Sequence, residues 1–522
     1  MNESRSVTLS SDLAAWHFLS RTTFGPRALD LEAAKHRGIS ALLDEQLHPQ
    51  DIDDSEVERK ITALPTLTMS QGELMEDFPP RKKANHVTTL EQRQAARRAL
   101  APSADGSPPP AMPEMAPSME AAAPRHILIE LEREQFWRAA YSRRQLQEVM
   151  VHFWMNHFNV YAGKGVDKWL LTSFERDAIR PHALGNFWQL LTATAQSPAM
   201  LFYLDNWLSV APNGMAAMLP ALAKRGLNEN YGRELMELHT LGVDGGYTQQ
   251  DVREVARCFT GWTIDRPRQG GGFVFRPRVH DLGEKVVLGH RIPAGGGMED
   301  GMAVLKLLAA HPSTARFISL KLCRYFVSDD PPASVVERTA RTFTDSQGDI
   351  PSVVKTILTA PEFNTQAAFR AKVKSPFELV ASALRTLDAE TDAGIPLMAL
   401  MMNMGQPLFL YQAPTGFPDR ASWWINSGTL LARMNFSMAL AADRVPGTQL
   451  DFQALTPSDD TQAVWDHLVT RTLGGQVSPE TTAAAMKGVE NLAGINGVNF
   501  VAFPKTKLMA ALLLGSPEFQ RK

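Results

Sequence analysis

The chain has 522 residues, of which 44% are hydrophobic and 21% charged, and its formal net charge is −3 at pH 7. This composition is that of a globular protein long enough for one large core or several small ones. The nearly neutral balance excludes a global basic field for nucleic acid or acidic membranes, so no nucleic-acid partner is expected. No run of about eighteen apolar residues occurs, so no membrane span is predicted.

Two cysteines, Cys258 and Cys323, lie far apart in apolar-periodic helical stretches. No CxxC motif for zinc or redox chemistry exists, and buried reduced thiols are expected. The first eleven residues are polar and lack the apolar core of a secretion signal. The sequence as written therefore predicts a cytoplasmic protein, or an exported one if a signal peptide has been removed.

The chain divides into three parts by composition. Residues 1–98 read as an N-terminal helical part, with two helices over 12–48 separated at Phe24-Gly25-Pro26. Residues 99–124 are rich in Pro and Ala and bury too little apolar area to repay their ordering entropy, so a flexible insertion is predicted. Residues 125–522 form the predicted helical core.

Helix start signals are strong in this core. Thr248 with Asp251 fits a capping box, and Ser375-Pro376-Phe377-Glu378 supplies an N-cap serine, a first-turn proline and a third-position glutamate. Only residues 273–292 predict β structure, with strands at 273–279 and 285–288 forming a hairpin. The predicted fold is a mainly α, multi-helical protein with a single core and one small β-hairpin.

The run from Asn228 to Thr240 concentrates ionisable groups among leucines. At about 100° per residue, Asn230, Glu234 and Glu237 share one helical stripe beside an apolar stripe. A carboxylate in that position needs an arginine, a hydrogen-bond donor or a metal ion. The open alternatives are a functional site and buried ion pairs with the arginines of this region, Arg233, Arg253 and Arg257.

His152 and Asn156 share a stripe on another predicted helix. Together with Glu234 and Glu237 they could supply four ligands to a divalent metal ion, the candidate cofactor. His239 lies about 180° from the glutamate stripe of a regular helix, so it cannot ligate the same ion. Standard zincin and di-iron patterns are absent. The alternative is that the histidines are satisfied interior residues.

Two further groups lie on the predicted hairpin. His280 and Asp281 stand in a glycine-bearing turn and are candidate catalytic residues, with an Asx turn as the alternative for Asp281. Arg276 and Arg278, two apart on one strand face, are candidate cofactor-binding residues because arginine forks match phosphate or carboxylate. A strand edge protected by charge would explain the same arginines.

Several motifs together resemble a known family. They are Phe18–Pro26, His152–Phe158, Tyr203–Asn206, Asn228–Gly242, Phe275–Asp281 and Gly405–Phe409. Over nearly its whole length the chain resembles the bacterial family called domain of unknown function 1800. One departure is Gly416-Phe417-Pro418, where that family tends to show Gly-Trp-Pro. The resemblance implies no established activity. Members of the family are often encoded beside an alkaline-phosphatase-like protein. The resemblance therefore implies such a partner and a function outside the cytoplasm.

The functional hypothesis is an enzyme with a carboxylate and histidine centre. Its catalytic candidates are Glu234, Glu237, His280 and Asp281, and a divalent metal would polarise a substrate or activate water. The competing hypothesis is a non-catalytic binding or assembly protein that partners the hydrolase-like protein. Convergence of the candidate segments on one cleft would favour the enzyme, and saturation of both glutamates by arginines would favour the binding protein.

Overall fold

The computed structural model describes residues 8–80, 124–212, 226–494 and 505–522. Residues 81–98 of the predicted N-terminal helical part and residues 99–123 of the predicted insertion lie outside the described residues. Within the described ranges the protein is mainly α-helical, as predicted, with 23 α-helices. None of these helices is both long and apolar enough to cross a lipid bilayer.

The helices α1 to α23 follow one another along the whole chain. Their bounds are Ser11–Thr22, Ala28–Arg37, Ile39–Gln46, Ser55–Ile61, Gln71–Asp77, Arg125–Tyr141, Gln145–His157, Asp167–Ser173, Phe187–Gln196, Pro198–Tyr203, Glu229–Glu234, Gln249–Cys258, Met298–Ala309, Pro312–Phe326, Ala333–Asp345, Ile350–Leu358, Pro376–Thr386, Ile395–Asn403, Ala421–Trp424, Ser427–Ala441, Thr461–Leu473, Pro479–Gly494 and Lys505–Gly515. Two π-helical segments, Phe174–Ile179 and Leu235–Thr240, directly continue α8 and α11.

Buried hydrophobic side chains form one contiguous cluster that extends from Ala15 in α1 to Phe519 beyond α23. The two predicted helix starts are confirmed, since Thr248 caps α12 and Ser375 caps α17 through reciprocal capping boxes. Residues 12–48 form three helices instead of the predicted two. Gly38 adopts a φ of 81° and divides the second predicted helix into α2 and α3.

The β structure consists of three two-stranded antiparallel sheets in the described residues. The strands pair as β1 with β2, β3 with β4 and β5 with β6. Their bounds in that order are Trp262–Ile264, Phe273–Phe275, Lys285–Val287, His290–Ile292, Glu390–Thr391 and Thr448–Gln449.

The predicted pairing within 273–292 is therefore wrong in detail. Pro277 begins a 3-10 turn and ends β2, because proline cannot donate a backbone hydrogen bond. Leu288 and Gly289 both have positive φ values, of 49° and 77°. This is the requirement of a tight two-residue turn, so β3 folds back onto β4 instead of pairing with β2.

Candidate functional site

The helix that carries Glu234 changes its winding along the acidic run. It begins at Glu229, where the Asn228 side chain accepts a hydrogen bond from the Asn230 amide at 2.8 Å. From Leu235 it is a π-helix, and the Thr240 hydroxyl donates to the Leu235 carbonyl at 2.7 Å. The stripe of residues that was predicted for a regular α-helix therefore ends at Glu234. Short π segments occur frequently at functional sites.

Neither Glu234 nor Glu237 is paired with a described arginine. Arg233, Arg253 and Arg257 bind other groups, namely Gln249, Glu229, Glu254 and Asp281. Glu237 accepts a hydrogen bond from the Tyr247 hydroxyl at 2.8 Å. Glu234 has neither a hydrogen bond nor an ion pair with any described residue. The ion-pair alternative for these glutamates is wrong.

Glu234 lies in the wall of an open cleft with a volume of about 490 Å³, which we call the Glu234 cleft. Its other polar lining residues are Tyr161, Lys164, Tyr203, Asn230 and Gln412. Partial burial raises the pKa of Glu234, and the nearby charge of Glu237 raises it further. This carboxyl is suited to exchange a proton with a molecule in the cleft.

A second cleft, of about 290 Å³, lies between α7, α14, the start of α17 and the segment 405–424. We call it the Lys321 cleft. The segment 405–424 lines both clefts, with Gln412 and Pro414 on the first and Thr415 to Arg420 on the second. The helix that carries Glu234 also reaches both, since Asn230 and Glu234 of α11 line the first cleft and Leu238 of the π-helical continuation lines the Lys321 cleft.

Asn156 fixes the part of this segment that closes the Lys321 cleft. Its side-chain amide donates to the Phe417 carbonyl at 2.9 Å, and its side-chain oxygen accepts from the Phe417 amide at 2.8 Å. Gly416 passes so close to Asn156 that a Cβ there would lie 2.1 Å from the Asn156 carbonyl oxygen. Phe417 packs against Trp424, so an indole borders the cleft although residue 417 is phenylalanine.

His152 presents a neutral imidazole to the cleft. Its ring stacks on Phe377, with 4.6 Å between centroids and an interplanar angle of 13°. Burial lowers the pKa of His152 to about 4, and the positive charge of Lys522 contributes in the same direction. The ring makes no hydrogen bond to the described residues. Both of its nitrogens are therefore free to serve a ligand, one as donor and one as acceptor.

Lys321 is the most unusual group of the cleft. Its Nζ lies 2.8 Å from Nδ1 of His157, whose Nε2 contacts the His239 carbonyl at 3.2 Å. Since Nε2 must donate to that carbonyl, Nδ1 carries the lone pair and accepts from the lysine. Burial lowers the pKa of Lys321 to about 8. Among described residues, no carboxylate forms an ion pair with this amine.

The carboxylates of the cleft are bound by lysines from outside its lining. Glu378 binds the Lys522 amine, and Asp419 accepts from Lys372 at 2.8 Å. Burial alone would raise the pKa of Glu378, but the bonded Lys522 brings it to about 2. The guanidinium of Arg324 has no ion pair within the described ranges and donates through Nε to the Asp329 carbonyl. Two cations of the cleft, Lys321 and Arg324, thus form no ion pair with a described carboxylate, although the charge of Asp419 favours the protonated form of Lys321 and partly offsets the fall in its pKa.

Comparison with known proteins places the chain in a family. The family model described as "Protein of unknown function (DUF1800)" matches residues 17–521. The chain belongs to this family. No curated protein and no solved structure matches it. Four of the motifs that carry the family resemblance contribute side chains to the two clefts, namely His152–Phe158, Tyr203–Asn206, Asn228–Gly242 and Gly405–Phe409.

In this DUF1800 protein the four residues predicted to hold a metal are divided between the clefts. His152 and Asn156 line the Lys321 cleft, whereas Glu234 lines the Glu234 cleft and Glu237 binds Tyr247. Within the described ranges, no group of three or more His, Cys, Asp and Glu residues is placed to hold a metal ion. His239 lies in the core beside Phe158. The metal hypothesis stays a prediction without an assembled ligand group.

His280 lies in a buried hydrogen-bond cluster that has a structural role. Its Nδ1 donates to the Thr260 carbonyl at 2.7 Å, and its Nε2 lies 3.1 Å from an Asp300 carboxylate oxygen. The buried Lys285 amine binds the same oxygen at 2.6 Å. This buried cluster ties β3 to α13. Both ring nitrogens of His280 are engaged, so the ring offers nothing to a substrate in either cleft.

Asp281 and the two predicted cofactor-binding arginines are also separate from the clefts. The Asp281 carboxylate accepts hydrogen bonds from two Arg257 nitrogens, at 2.9 and 3.0 Å. It also accepts one from the Gly283 amide at 2.9 Å, which confirms the Asx-turn alternative. Arg276 and Arg278 are exposed, and the 3-10 turn Pro277–Val279 removes the strand face they were expected to share. The predicted anion cradle does not form on this hairpin.

Sequence reasoning did not identify Lys321, Arg324 or Asp419. Lys321 stands between Leu320 and Leu322 in an amphipathic helix, and a lysine within that apolar run was the available signal. Glu378 was recognised only as a capping residue. Its second role depends on Lys522, which is 144 residues away, and no local pattern could reveal that contact.

Proposed function

We propose that this DUF1800 protein is an enzyme whose active site is the Lys321 cleft and whose substrate is a small molecule with a carboxylate or phosphate group. The observation that carries this proposal is the Lys321 amine, which faces a ligand-sized cleft and whose one hydrogen-bond partner in the described part of the chain is the neutral histidine His157. Perturbed ionisable groups that converge in a concave site are the usual mark of an active site.

The charge of the cleft selects the substrate class. Lys522 offsets the charge of Glu378, and Lys372 is shared by Asp419 and Asp329. Arg420 binds Asp330, so Lys321 and Arg324 together leave a net positive charge when both are protonated. An anionic group that entered the cleft would accept charge-assisted hydrogen bonds from them. His152 would add a neutral donor or acceptor for a second polar group of the substrate.

Lys321 supplies the chemistry. With a pKa of about 8, a substantial minority of its amines are neutral at physiological pH, and the neutral form can take a proton or attack an electrophile. The hydrogen bond to His157 Nδ1 holds the amine in position. Asn156 and Phe417 close one side of the cleft and fix the walls around it.

The test is titration calorimetry of the full chain with malonate and with inorganic phosphate as probes. Arg324→Gln should weaken binding of the better probe by about 10- to 100-fold, the worth of one charge-assisted hydrogen bond. Arg341→Gln is the matched control, because Arg341 is exposed on α15 and lines neither cleft. Binding that is equal in all three proteins, or absent in the wild type, contradicts the proposal.

A second candidate function is the docking of a partner protein. Helix α20 exposes Leu430, Leu431, Met434 and Met438 to between 40% and 60%. We call these four residues the apolar face. Arg433 of the same helix is buried, so the exposed side is uncharged. Uncharged, methionine-containing helical surfaces are typical of protein-docking sites. The partner to test is the alkaline-phosphatase-like protein that the family resemblance implies.

Purified chain and that hydrolase-like protein should form a complex on size-exclusion chromatography with light scattering. Leu431→Glu should abolish the complex, whereas Leu29→Glu should not, because Leu29 is an isolated exposed leucine on α2. Self-association that Leu431→Glu removes would assign the face to a second copy and overturn this candidate. So would the absence of any complex.

A further inference from the structure

We infer that Lys321 forms a covalent imine with an aldehyde or ketone that also carries a carboxylate, such as a 2-oxo acid. The inference rests on the proposed function, because it requires the same cleft to accept an anion. It adds the reacting group of the substrate and the bond that forms. The argument comes from a comparison of Lys321 with the other buried lysines.

Most buried lysines of the described chain are bound to carboxylates. Lys285 binds Asp300, Lys372 binds Asp329 and Asp419, and Lys522 binds Glu378. An amine that donates to a carboxylate is held by that bond and is not free to attack a carbonyl carbon. These three amines are therefore structural.

Lys321 and Lys374 have no carboxylate partner among the described residues, and of these two only Lys321 has space for a ligand. Lys374 donates to the Ser382 hydroxyl at 2.8 Å and borders a cavity of about 20 Å³, which suits a water molecule. Lys321 borders a cleft of about 290 Å³. The combination of an unpaired amine and a ligand-sized space is what imine formation needs.

The neighbours of Lys321 suit each stage of the reaction. His157 Nδ1 accepts from Nζ and leaves the nitrogen lone pair free when the amine is neutral. Arg324 can hold the carboxylate of the substrate while the carbonyl carbon lies toward Nζ. His152, which has no hydrogen bond to described residues, can serve the carbonyl oxygen.

The step balances without a further reactant. The neutral amine attacks the carbonyl carbon, a C–N bond forms, and the carbonyl oxygen takes up a proton to give a carbinolamine. The oxygen then leaves as water, carrying both protons of the amine, and a C=N bond remains. No oxidant or reductant is involved in this addition and elimination. The imine would withdraw electrons from the adjacent carbon of the substrate.

Reductive trapping tests the inference directly. The full chain is incubated with glyoxylate and sodium cyanoborohydride, and peptide mass spectrometry locates the added carboxymethyl groups. We expect Lys321 to be modified first, and trapping to quicken as the pH approaches 8. Acetate in place of glyoxylate, and omission of the reductant, should give no modification. Saturating malonate should slow the trapping.

Two variants separate the reacting amine from general lysine reactivity. Lys321→Arg should lose the early modification, whereas Lys374→Arg should keep it. Modification spread over exposed lysines without preference for Lys321 overturns the inference. If malonate binds and depends on Arg324 but glyoxylate is not trapped, the proposed function stands and the imine is contradicted. If neither occurs, both fail.

Discussion

At the scale of single residues, Glu234 and Lys321 both depart from their ordinary acid–base behaviour because burial is not repaid by an opposite charge. The pKa of Glu234 is raised and that of Lys321 is lowered to about 8. Each shift favours the neutral form of its group. Ionisable groups with shifted pKa values and no partner are uncommon outside functional sites, so we interpret both side chains as functional.

The raised pKa of Glu234 gives a pH-dependent stability prediction. Because the folded protein binds the proton more tightly than the unfolded chain, this contribution is fully present below pH 4.5 and is lost as the pH rises through the folded pKa. Glu234→Gln should therefore raise Tm slightly at pH 7.5, by about 1 °C since the carboxyl is half-solvated. Near pH 4 the two proteins should melt together.

Thermal melts at the two pH values measure this effect. Glu229→Gln is the control on the same helix, since Glu229 has partners in Arg253 and Gln249 and should give no gain at pH 7.5. A higher Tm of Glu234→Gln at both pH values would show that ionisation is not the cause.

At the scale of elements, the segment 405–424 decides the shape of the site because it lines both clefts. It has almost no regular structure of its own, so its path depends on anchors such as Asn156 on α7. Gly416 allows the close approach to that anchor, at a φ of 67°. The position of Phe417 follows from this contact, and Asp419 is held in addition by Lys372.

Gly416→Ala should destabilise the protein by about 2 kcal/mol or more, because the new Cβ would meet the Asn156 carbonyl and the positive φ adds strain. Malonate binding should weaken together with stability. Gly405→Ala is the matched control in the same segment: its φ is 96°, but the nearest atom to a new Cβ lies 4.0 Å away. Urea unfolding should show the smaller loss in the control, of about 1 kcal/mol. Equal losses would contradict a role for the Asn156 contact.

At the scale of the whole molecule, distant parts of the chain are joined through buried polar contacts. Arg21 on α1 donates to the carbonyls of Phe326 and Ala368 at 3.0 and 2.7 Å. Lys522 binds Glu378, which also caps α17 and lines the Lys321 cleft. The cleft therefore depends on contacts that close only when the entire chain has folded.

Lys522→Met should cost about 3–5 kcal/mol at pH 7, because it leaves the Glu378 carboxylate buried without its cation. In the wild type, the depressed pKa of Glu378 contributes stability that is present above pH 4.5 and is lost as the pH falls through about 2. The deficit of the variant should therefore shrink at pH 4. Urea unfolding at both pH values checks this, with Lys374→Met as the control that leaves no carboxylate unpaired. An equal deficit in both variants would contradict the charge argument.

The mainly α fold and the two capping-box helix starts could be predicted from the sequence, because they depend on periodicity and on contacts within a few residues. The family was indicated by the resemblance of several motifs. The sequence also identified Glu234 and His152 as polar groups that need a partner or a function. Long-range packing places these two residues in different clefts and gives His280 and Asp281 structural partners. It also leaves Lys321 without a carboxylate partner among the described residues. Burial and ion pairing depend on side chains that approach from distant parts of the chain, and the sequence of one helix or strand does not indicate which side chains these are.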